Sequence, residues 1–161
     1  KPADLREISL NHLIQESIEL FKNSAKWNEK INIFVDMKKG IKLISDPDQI
    51  KQVLWNILLN ASDAMPEGGL ISISAGIEEN DTESLEPGRE VVKIVVRDSG
   101  KGFSEKALSS IFTPFFTTKE GGSGLGLAIV NRIIGGLKGS VSGRNHPDGG
   151  AEITILLRKE I

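Results

Sequence analysis

The spacing of apolar positions along the chain predicts helices separated by strands. Apolar side chains recur at i, i+3 and i+4 from Leu10 to Phe21, which is the period of an amphipathic helix. Asp46 is a suitable N-cap and Pro47 suits the first helical position, so a second helix is expected to begin there. The same reasoning predicts helices over residues 10–26, 46–65, 104–111 and 125–137.

Short stretches rich in Ile and Val predict the strands. Residues 31–36 and 41–45 indicate two strands around a tight turn, and residues 70–77 alternate apolar with small polar side chains. Residues 91–96 are apolar and largely β-branched apart from Lys93, which is typical of a central strand. The remaining predicted strands are 140–144 and 151–157. Because strands and helices interleave, we expect an α+β fold, a mixed sheet covered by helices on one face.

Composition and charge narrow the class of protein. The chain has 161 residues, of which 39% are apolar and 26% charged, as expected for one soluble globular domain. A net charge of −2 provides no positive field for nucleic acid or an anionic membrane, so neither is an expected partner. The absence of Cys excludes a disulfide framework and a thiolate site, and no apolar run is long enough to insert into a membrane.

A polar stripe on the second predicted helix is the first candidate site. At helical spacing, five polar side chains fall within a sector of about 80° that has apolar residues on both sides. They are Gln49, Gln52, Asn56, Asn60 and Asp63. Asn is a mediocre helix former, but its carbonyl oxygen is a neutral ligand that Mg²⁺ accepts when phosphates supply the charge. An ordinary solvated helix face is the alternative interpretation.

Two glycine-rich segments are further candidates. In the first, Asp98–Phe103, a carboxylate follows a strand and can accept a hydrogen bond from an exocyclic amine, while Gly100 and Gly102 let a planar ligand approach the backbone. The alternative is a turn capped by Asp98. In the second, Gly121–Leu127, glycines precede a helix whose N–H groups suit a phosphate, although a flexible hinge is compatible with the same pattern. Neither a Walker loop nor a dinucleotide-binding fingerprint matches that segment.

In their order along the chain, four segments resemble the nucleotide-binding boxes of bacterial sensor histidine kinases. These kinases share an ATP-binding catalytic domain with the gyrase, Hsp90 and MutL superfamily. The segments are Asn-Ile-Leu-Leu-Asn-Ala at 56–61, Asp-Ser-Gly-Lys-Gly-Phe at 98–103, Phe-Thr-Pro-Phe-Phe-Thr-Thr-Lys at 112–119 and Gly-Ser-Gly-Leu-Gly at 122–126. The resemblance covers nearly the whole chain. It implies a two-layer Bergerat-type sandwich of about five main strands, with helices on one face and a mobile ATP lid over residues 113–124.

The resemblance also implies ATP and Mg²⁺ as ligands and assigns roles to individual residues. Asn60 would bind Mg²⁺, Asn56 would lie beside the phosphates, and Asp98 would accept from the adenine amino group. Lys119 would meet phosphate charge, and Asn56, Asn60 and Lys119 would be the catalytic set. Thr154 would support Asp98 through water. The other implied nucleotide-binding residues are Asp63, Gly100, Gly102, Phe103, Thr117, Thr118, Gly122, Ser123, Gly124, Leu125 and Gly126.

Departures from the family pattern refine this hypothesis. Asp63 stands where many histidine kinases carry a basic residue, and Asn60-Ala-Ser-Asp63-Ala-Met65 is similar to the nitrogen-regulator subtype. Hydrolytic relatives place a general-base Glu where this chain has Asn56, and an amide cannot take a proton from water. Weak intrinsic ATP hydrolysis is therefore expected.

The resemblance implies transfer of the ATP γ-phosphate to a His on a dimerisation domain, and neither His12 nor His146 has the expected acceptor context. Residues 1–9 are then a connecting segment from that domain, and residues 10–161 the catalytic domain. The implied partners are the acceptor-His domain, normally of the same polypeptide, and the receiver domain of a response regulator. A cytoplasmic, monomeric catalytic domain within a homodimeric, sometimes membrane-anchored parent is expected. A nucleotide-gated interaction module without phosphotransfer and an anti-sigma-type serine kinase are the alternatives.

Overall fold

The computed structural model describes residues 2–79, 88–114 and 126–160. Helices and strands interleave along these residues, with most strands in consecutive pairs. In chain order the elements are β1 (Arg6–Ser9), α1 (Leu10–Lys22), β2 (Ile31–Met37), β3 (Lys42–Ser45), α2 (Pro47–Asp63), β4 (Gly69–Glu79), β5 (Glu90–Asp98), α3 (Glu105–Leu108), α4 (Gly126–Gly136), β6 (Ser140–Asn145) and β7 (Ala151–Arg158).

Five strands form one mixed sheet in the order β2-β4-β5-β7-β6, and β1 pairs with β3 in a separate two-stranded sheet. The β2–β4 pair is parallel, and the other pairs of the large sheet are antiparallel. β5 lies in the middle, as its nearly uninterrupted apolar sequence predicts. The expected α+β architecture of five main strands with helices on one face is confirmed.

The core lies between the sheet and the helices. Along β5, Val92, Ile94 and Val96 are buried, whereas the alternate residues Lys93 and Val95 are half-buried on the outer face. Their register partners on β7 continue the same buried face, and α2 and α4 pack together above it. Because one strand end and one helix face border the same layer, side chains at the end of β5 and on α2 can meet.

The two strands expected around a tight turn do not pair with each other. β2 joins the large sheet beside β4, whereas β3 pairs with β1. The Asn11 amide explains the separation, because it donates to the Lys38 carbonyl at 2.8 Å and accepts from the Ile41 N–H at 2.9 Å. Asn11 thus takes main-chain groups on both sides of the turn that would otherwise be available to a hairpin.

Two predicted helices are shorter than expected. α1 ends at Lys22 rather than near Lys26. Asn23 caps it, and the Ser24 hydroxyl donates to the Phe21 carbonyl. α3 covers only Glu105–Leu108, capped by Ser104. Within the described residues, no helix is long and apolar enough to cross a membrane.

Candidate functional site

Asp98 lies at the end of the central strand and is only 4% exposed. Its Oδ1 accepts hydrogen bonds from the Gly100 N–H at 2.9 Å and from the Ala151 N–H at 3.3 Å. These two main-chain donors come from the loop after β5 and from the start of β7. They stabilise the ionised carboxylate and fix its orientation.

The loop after Asp98 is fastened to the end of α2. The Ser99 hydroxyl accepts from the Leu70 N–H at 2.9 Å and donates to the Met65 Sδ at 3.4 Å. Gly100 lies so close to Ala64, the C-cap of α2, that a Cβ atom on Gly100 would be 2.7 Å from the Ala64 carbonyl oxygen. This packing places the border between the loop and α2 at Ala64 and Met65, directly after the last helical turn.

The polar stripe of α2 extends from that border. Asp46 caps the helix, and its Oδ1 accepts from the N–H groups of Asp48 at 3.0 Å and Gln49 at 3.2 Å. Asn56 and Asn60 are half-buried, and Asp63 is exposed at the last helical residue. The Asn56 Nδ2 is buried and, within the described part of the chain, has no hydrogen-bond partner. An unpaired buried amide donor is costly, so this group is suited to an anionic acceptor.

The turn between β6 and β7 forms another wall of the site. Gly150 has a φ of +84°, and a Cβ atom there would lie 1.9 Å from the Asp98 carbonyl oxygen. Asn145 holds the Phe103 backbone, accepting from its N–H at 2.8 Å and donating to its carbonyl at 2.6 Å. The sequence did not identify Asn145, Gly150 and Ala151 as residues that contact the loop after β5. The only signal was the Gly149-Gly150 pair, since glycines allow another segment of backbone to approach closely.

The structure does not bring Thr154 to Asp98, which corrects the expected support through water. In the β5–β7 register Thr154 faces Val95, and Ile153 faces Val96. Because side chains alternate across a strand, Thr154 lies on the sheet face opposite to Asp98. Ala151 is the β7 residue that reaches the carboxylate, through its N–H.

Arg97 braces the same turn from the outer face of the sheet. Its guanidinium lies 3.2 Å from the His146 Nε2 and donates to the Gly149 carbonyl at 3.1 Å. His146 also closes the turn through its main chain, since its N–H donates to the Gly150 carbonyl at 2.8 Å. The wall beside Asp98 is therefore held from both sides of the sheet.

The remaining predicted site residues divide into two groups. Gly102 and Phe103 lie in the loop after Asp98, and Gly126 is the first residue of α4. The other predicted residues, Thr117, Thr118, Lys119, Gly122, Ser123, Gly124 and Leu125, lie outside the described residues, as does most of the expected lid.

Together, these groups make a site with two chemical ends. One end has a fixed carboxylate acceptor beside a glycine-lined wall, which suits the exocyclic amine of a flat heterocycle. The other end has the amide groups of α2, of which the buried and unpaired Asn56 Nδ2 suits an anionic acceptor. An adenine nucleotide has both features in this arrangement.

Comparison with known proteins gives relatives for the whole chain. Residues 45–161 match the family of histidine kinase-, DNA gyrase B- and HSP90-like ATPases. The sensor histidine kinase ZraS of Salmonella typhimurium is 39% identical over 160 residues, covering 98% of this chain and 32% of ZraS. The chain thus spans about a third of the length of that relative.

Solved structures agree with this similarity. The catalytic domain of the histidine kinase ThkA, in a nucleotide-free form, superposes with a TM-score of 0.80 at 31% identity, covering 98% of this chain and 97% of that domain. Full-length ShkA in complex with AMPPNP superposes with a TM-score of 0.77 at 26% identity, covering 98% of this chain and 31% of ShkA.

Proposed function

This chain belongs to the family of histidine kinase-, DNA gyrase B- and HSP90-like ATPases as the ATP-binding catalytic domain of a sensor histidine kinase, and from this premise we propose that it phosphorylates a histidine on a separate dimerisation domain. The observation that carries the proposal is the packing of the loop after Asp98 against the C-terminal end of α2, the helix that carries Asn56 and Asn60. The loop contact between Gly100 and Ala64 creates it.

Adenine is proposed to bind at Asp98, whose carboxylate accepts from the exocyclic amino group. Because two main-chain N–H groups hold Oδ1, the carboxylate is oriented before the base arrives. Gly100 and Gly102 shape the loop beside it, since a Cβ atom would crowd Ala64 at the first position and Asn145 at the second. The AMPPNP complex of ShkA supports an adenine nucleotide as the ligand of this fold.

The phosphates are proposed to extend towards α2 and the start of α4. The buried Asn56 Nδ2 would donate to a phosphate oxygen, and the Asn60 amide oxygen would bind Mg²⁺. No group of three or more acidic or His side chains within the described residues is placed to hold a metal ion, so amide and phosphate oxygens would supply the ligands. When bound there, Mg²⁺ would neutralise phosphate charge.

The lid residues complete the proposed site. Asp63 stands where many histidine kinases carry a basic residue and cannot offset phosphate charge, so Lys119 would do so. Thr117 and Thr118 would add hydroxyl donors. Gly122, Ser123, Gly124, Leu125 and Gly126 would present main-chain N–H groups to the triphosphate.

Transfer then depends on positioning rather than on a general base of this chain. An imidazole nitrogen of the acceptor attacks the γ-phosphorus in line, a P–N bond forms, and the bond to the β–γ bridging oxygen breaks as ADP leaves. The amide of Asn56 cannot take a proton from water. The chain therefore holds ATP without activating the competing hydrolysis.

The same proposal places the domain in a larger protein with an acceptor domain. Residues 1–9 would connect to the acceptor domain, although Arg6–Ser9 also forms β1 against β3. The parent would be a homodimer whose catalytic domain lies in the cytoplasm and whose phosphohistidine is read by a receiver domain. Residues 60–65 favour the nitrogen-regulator subtype.

Phosphotransfer from γ-labelled ATP to an acceptor domain added in trans tests the proposal, with Asp98→Asn as the key variant. The amide retains an Oδ1 acceptor for Gly100 and Ala151 but faces the adenine amine with the wrong hydrogen-bonding pattern. We expect ADP affinity and label transfer to fall at least tenfold, since about 1.4 kcal/mol corresponds to a factor of ten.

Asp36→Asn is the matched control, because Asp36 is an exposed carboxylate on the edge strand β2. It should leave binding and transfer unchanged. A product whose label is lost in acid indicates phosphohistidine, and an acid-stable product would indicate a serine kinase instead. Tight ADP binding without any transfer to acceptor domains would contradict the kinase proposal and leave a nucleotide-gated binding module.

A further inference from the structure

Asn145 makes a closed pair of hydrogen bonds with the backbone of one residue in the loop after Asp98. Its Oδ1 accepts from the Phe103 N–H at 2.8 Å, and its Nδ2 donates to the Phe103 carbonyl at 2.6 Å. The two residues are 42 positions apart in the chain. The amide therefore pairs with Phe103 much as a neighbouring strand would, although Asn145 is exposed.

The loop is shaped to receive this amide. Gly102 has a φ of +75°, and a Cβ atom there would lie 2.8 Å from the Asn145 Oδ1. The Phe103 side chain packs independently against the hydrophobic core. Asn145 thus fixes the main chain of the loop, and only a glycine leaves room for it.

The β6–β7 turn holds the loop at both ends. At the start of the loop, Gly150 lies against the Asp98 carbonyl and the Ala151 N–H donates to the Asp98 carboxylate. At the end of the loop, Asn145 pairs with Phe103. Between these two points lies the segment to which the base is assigned.

We propose that Asn145 is a positioning residue that holds the 99–103 loop in its nucleotide-binding shape before the nucleotide arrives. This inference rests on the proposed adenine site at Asp98. Without the amide pair, binding must also order the loop, and the cost of that ordering appears as lost affinity. Because the loop borders the base and not the phosphates, adenosine and ADP should lose affinity by the same factor.

Calorimetric titration of Asn145→Ala with ADP and with adenosine tests this inference. We expect both affinities to fall about tenfold, the scale of one or two lost hydrogen bonds. The ratio of ADP affinities with and without Mg²⁺ should stay unchanged, because α2 is untouched. Asn32→Ala, at the exposed far edge of the sheet, is the matched control and should bind like the wild type.

Asn145→Asp provides a pH readout that a purely structural role would not give. The ionised carboxylate repels the Phe103 carbonyl, whereas the protonated acid can accept from the N–H and donate to the carbonyl as the amide does. The affinity of Asn145→Asp relative to wild type should therefore recover as pH falls towards about 4, the ordinary pKa range of an Asp side chain. Ionisable groups remote from residue 145 are common to both proteins, so their effect cancels in that ratio.

Amide hydrogen exchange at Phe103 in the nucleotide-free chain gives an independent readout. Exchange should be faster in Asn145→Ala than in wild type or Asn32→Ala. Wild-type ADP affinity in Asn145→Ala would overturn the positioning role and leave the proposed function intact. Absence of ADP binding to the wild type would overturn both, and faster Phe103 exchange would then report a structural contact alone.

Discussion

Lys138 adopts a left-handed backbone conformation just beyond α4, with a φ of 63°. The N–H of the next residue, Gly139, donates to the Ile134 carbonyl at 2.9 Å, which closes the helix in the manner of a Schellman motif. An L-residue pays a steric cost in this conformation that glycine does not. The Lys138 side chain is exposed, so replacing it removes little packing.

Lys138→Gly should therefore raise the free energy of unfolding by about 0.5–1 kcal/mol, the scale of backbone effects at such sites. Urea denaturation measures the change. Lys138→Ala is the matched control and should give no gain, because alanine keeps the Cβ atom. Equal stability of the two variants would show that the backbone conformation carries no strain.

At the residue scale, the predictions rest on chemistry that is local in sequence. The Asp98 carboxylate and the spacing of Asn56 and Asn60 can be read from short motifs, and the structure packs the loop after Asp98 against the end of α2. Their roles towards a nucleotide stay predictions. The prediction for Thr154 was wrong because successive residues of a strand face opposite sides of the sheet, and the sequence did not show which side Thr154 takes. The role of Asn145 could not be predicted, because its partner Phe103 lies 42 residues away and no local motif or repeating pattern links the two positions.

At the scale of elements, α1 and α2 are joined at the surface by Glu16. Its carboxylate lies 3.2 Å from the Lys51 Nζ and 3.1 Å from the His12 Nε2. The hydrogen bond and charge of Lys51, with a smaller contribution from His12, lower the pKa of Glu16 below its ordinary value of 4.5. A carboxylate with a lowered pKa in the folded state stabilises the fold above its unfolded-state pKa.

Glu16→Gln should therefore destabilise the chain slightly at pH 7, as expected for an exposed ion pair. The difference from wild type should disappear as pH falls through the lowered pKa, because both side chains are then uncharged. Unfolding free energies at pH 7 and pH 3 measure it. Glu19→Gln, exposed on the same helix, is the control, and a difference that persisted at pH 3 would exclude the ionic origin.

Element positions were more predictable than element partners. The apolar period located α1, α2 and the strands to within a few residues, since burial on one face leaves a signal in the sequence. The separation of β2 from β3 left no such signal. It depends on the Asn11 amide, which bonds the chain on both sides of the turn from 27 to 30 positions away.

At the scale of the whole molecule, the positions of the two histidines predict that the chain does not phosphorylate itself. His146 lies in the β6–β7 turn with its Nε2 3.2 Å from the Arg97 guanidinium. His12 lies on α1 beside Glu16, which contacts α2 at Lys51. Lys51 is about 140° around the helix from Asn56, so this contact is on a different side of α2 from the proposed phosphate position.

Incubation of the isolated chain with γ-labelled ATP should therefore give no acid-labile label on protein, and ADP should form at close to the uncatalysed rate. The same chain should label an acceptor domain in trans, which separates a missing nucleophile from an inactive site. If label did appear on the isolated chain, His12→Gln and His146→Gln would identify the acceptor. Loss of that label in His12→Gln would mean that α1 moves relative to α2, because the contact between Glu16 and Lys51 holds His12 away from the phosphate end of the site.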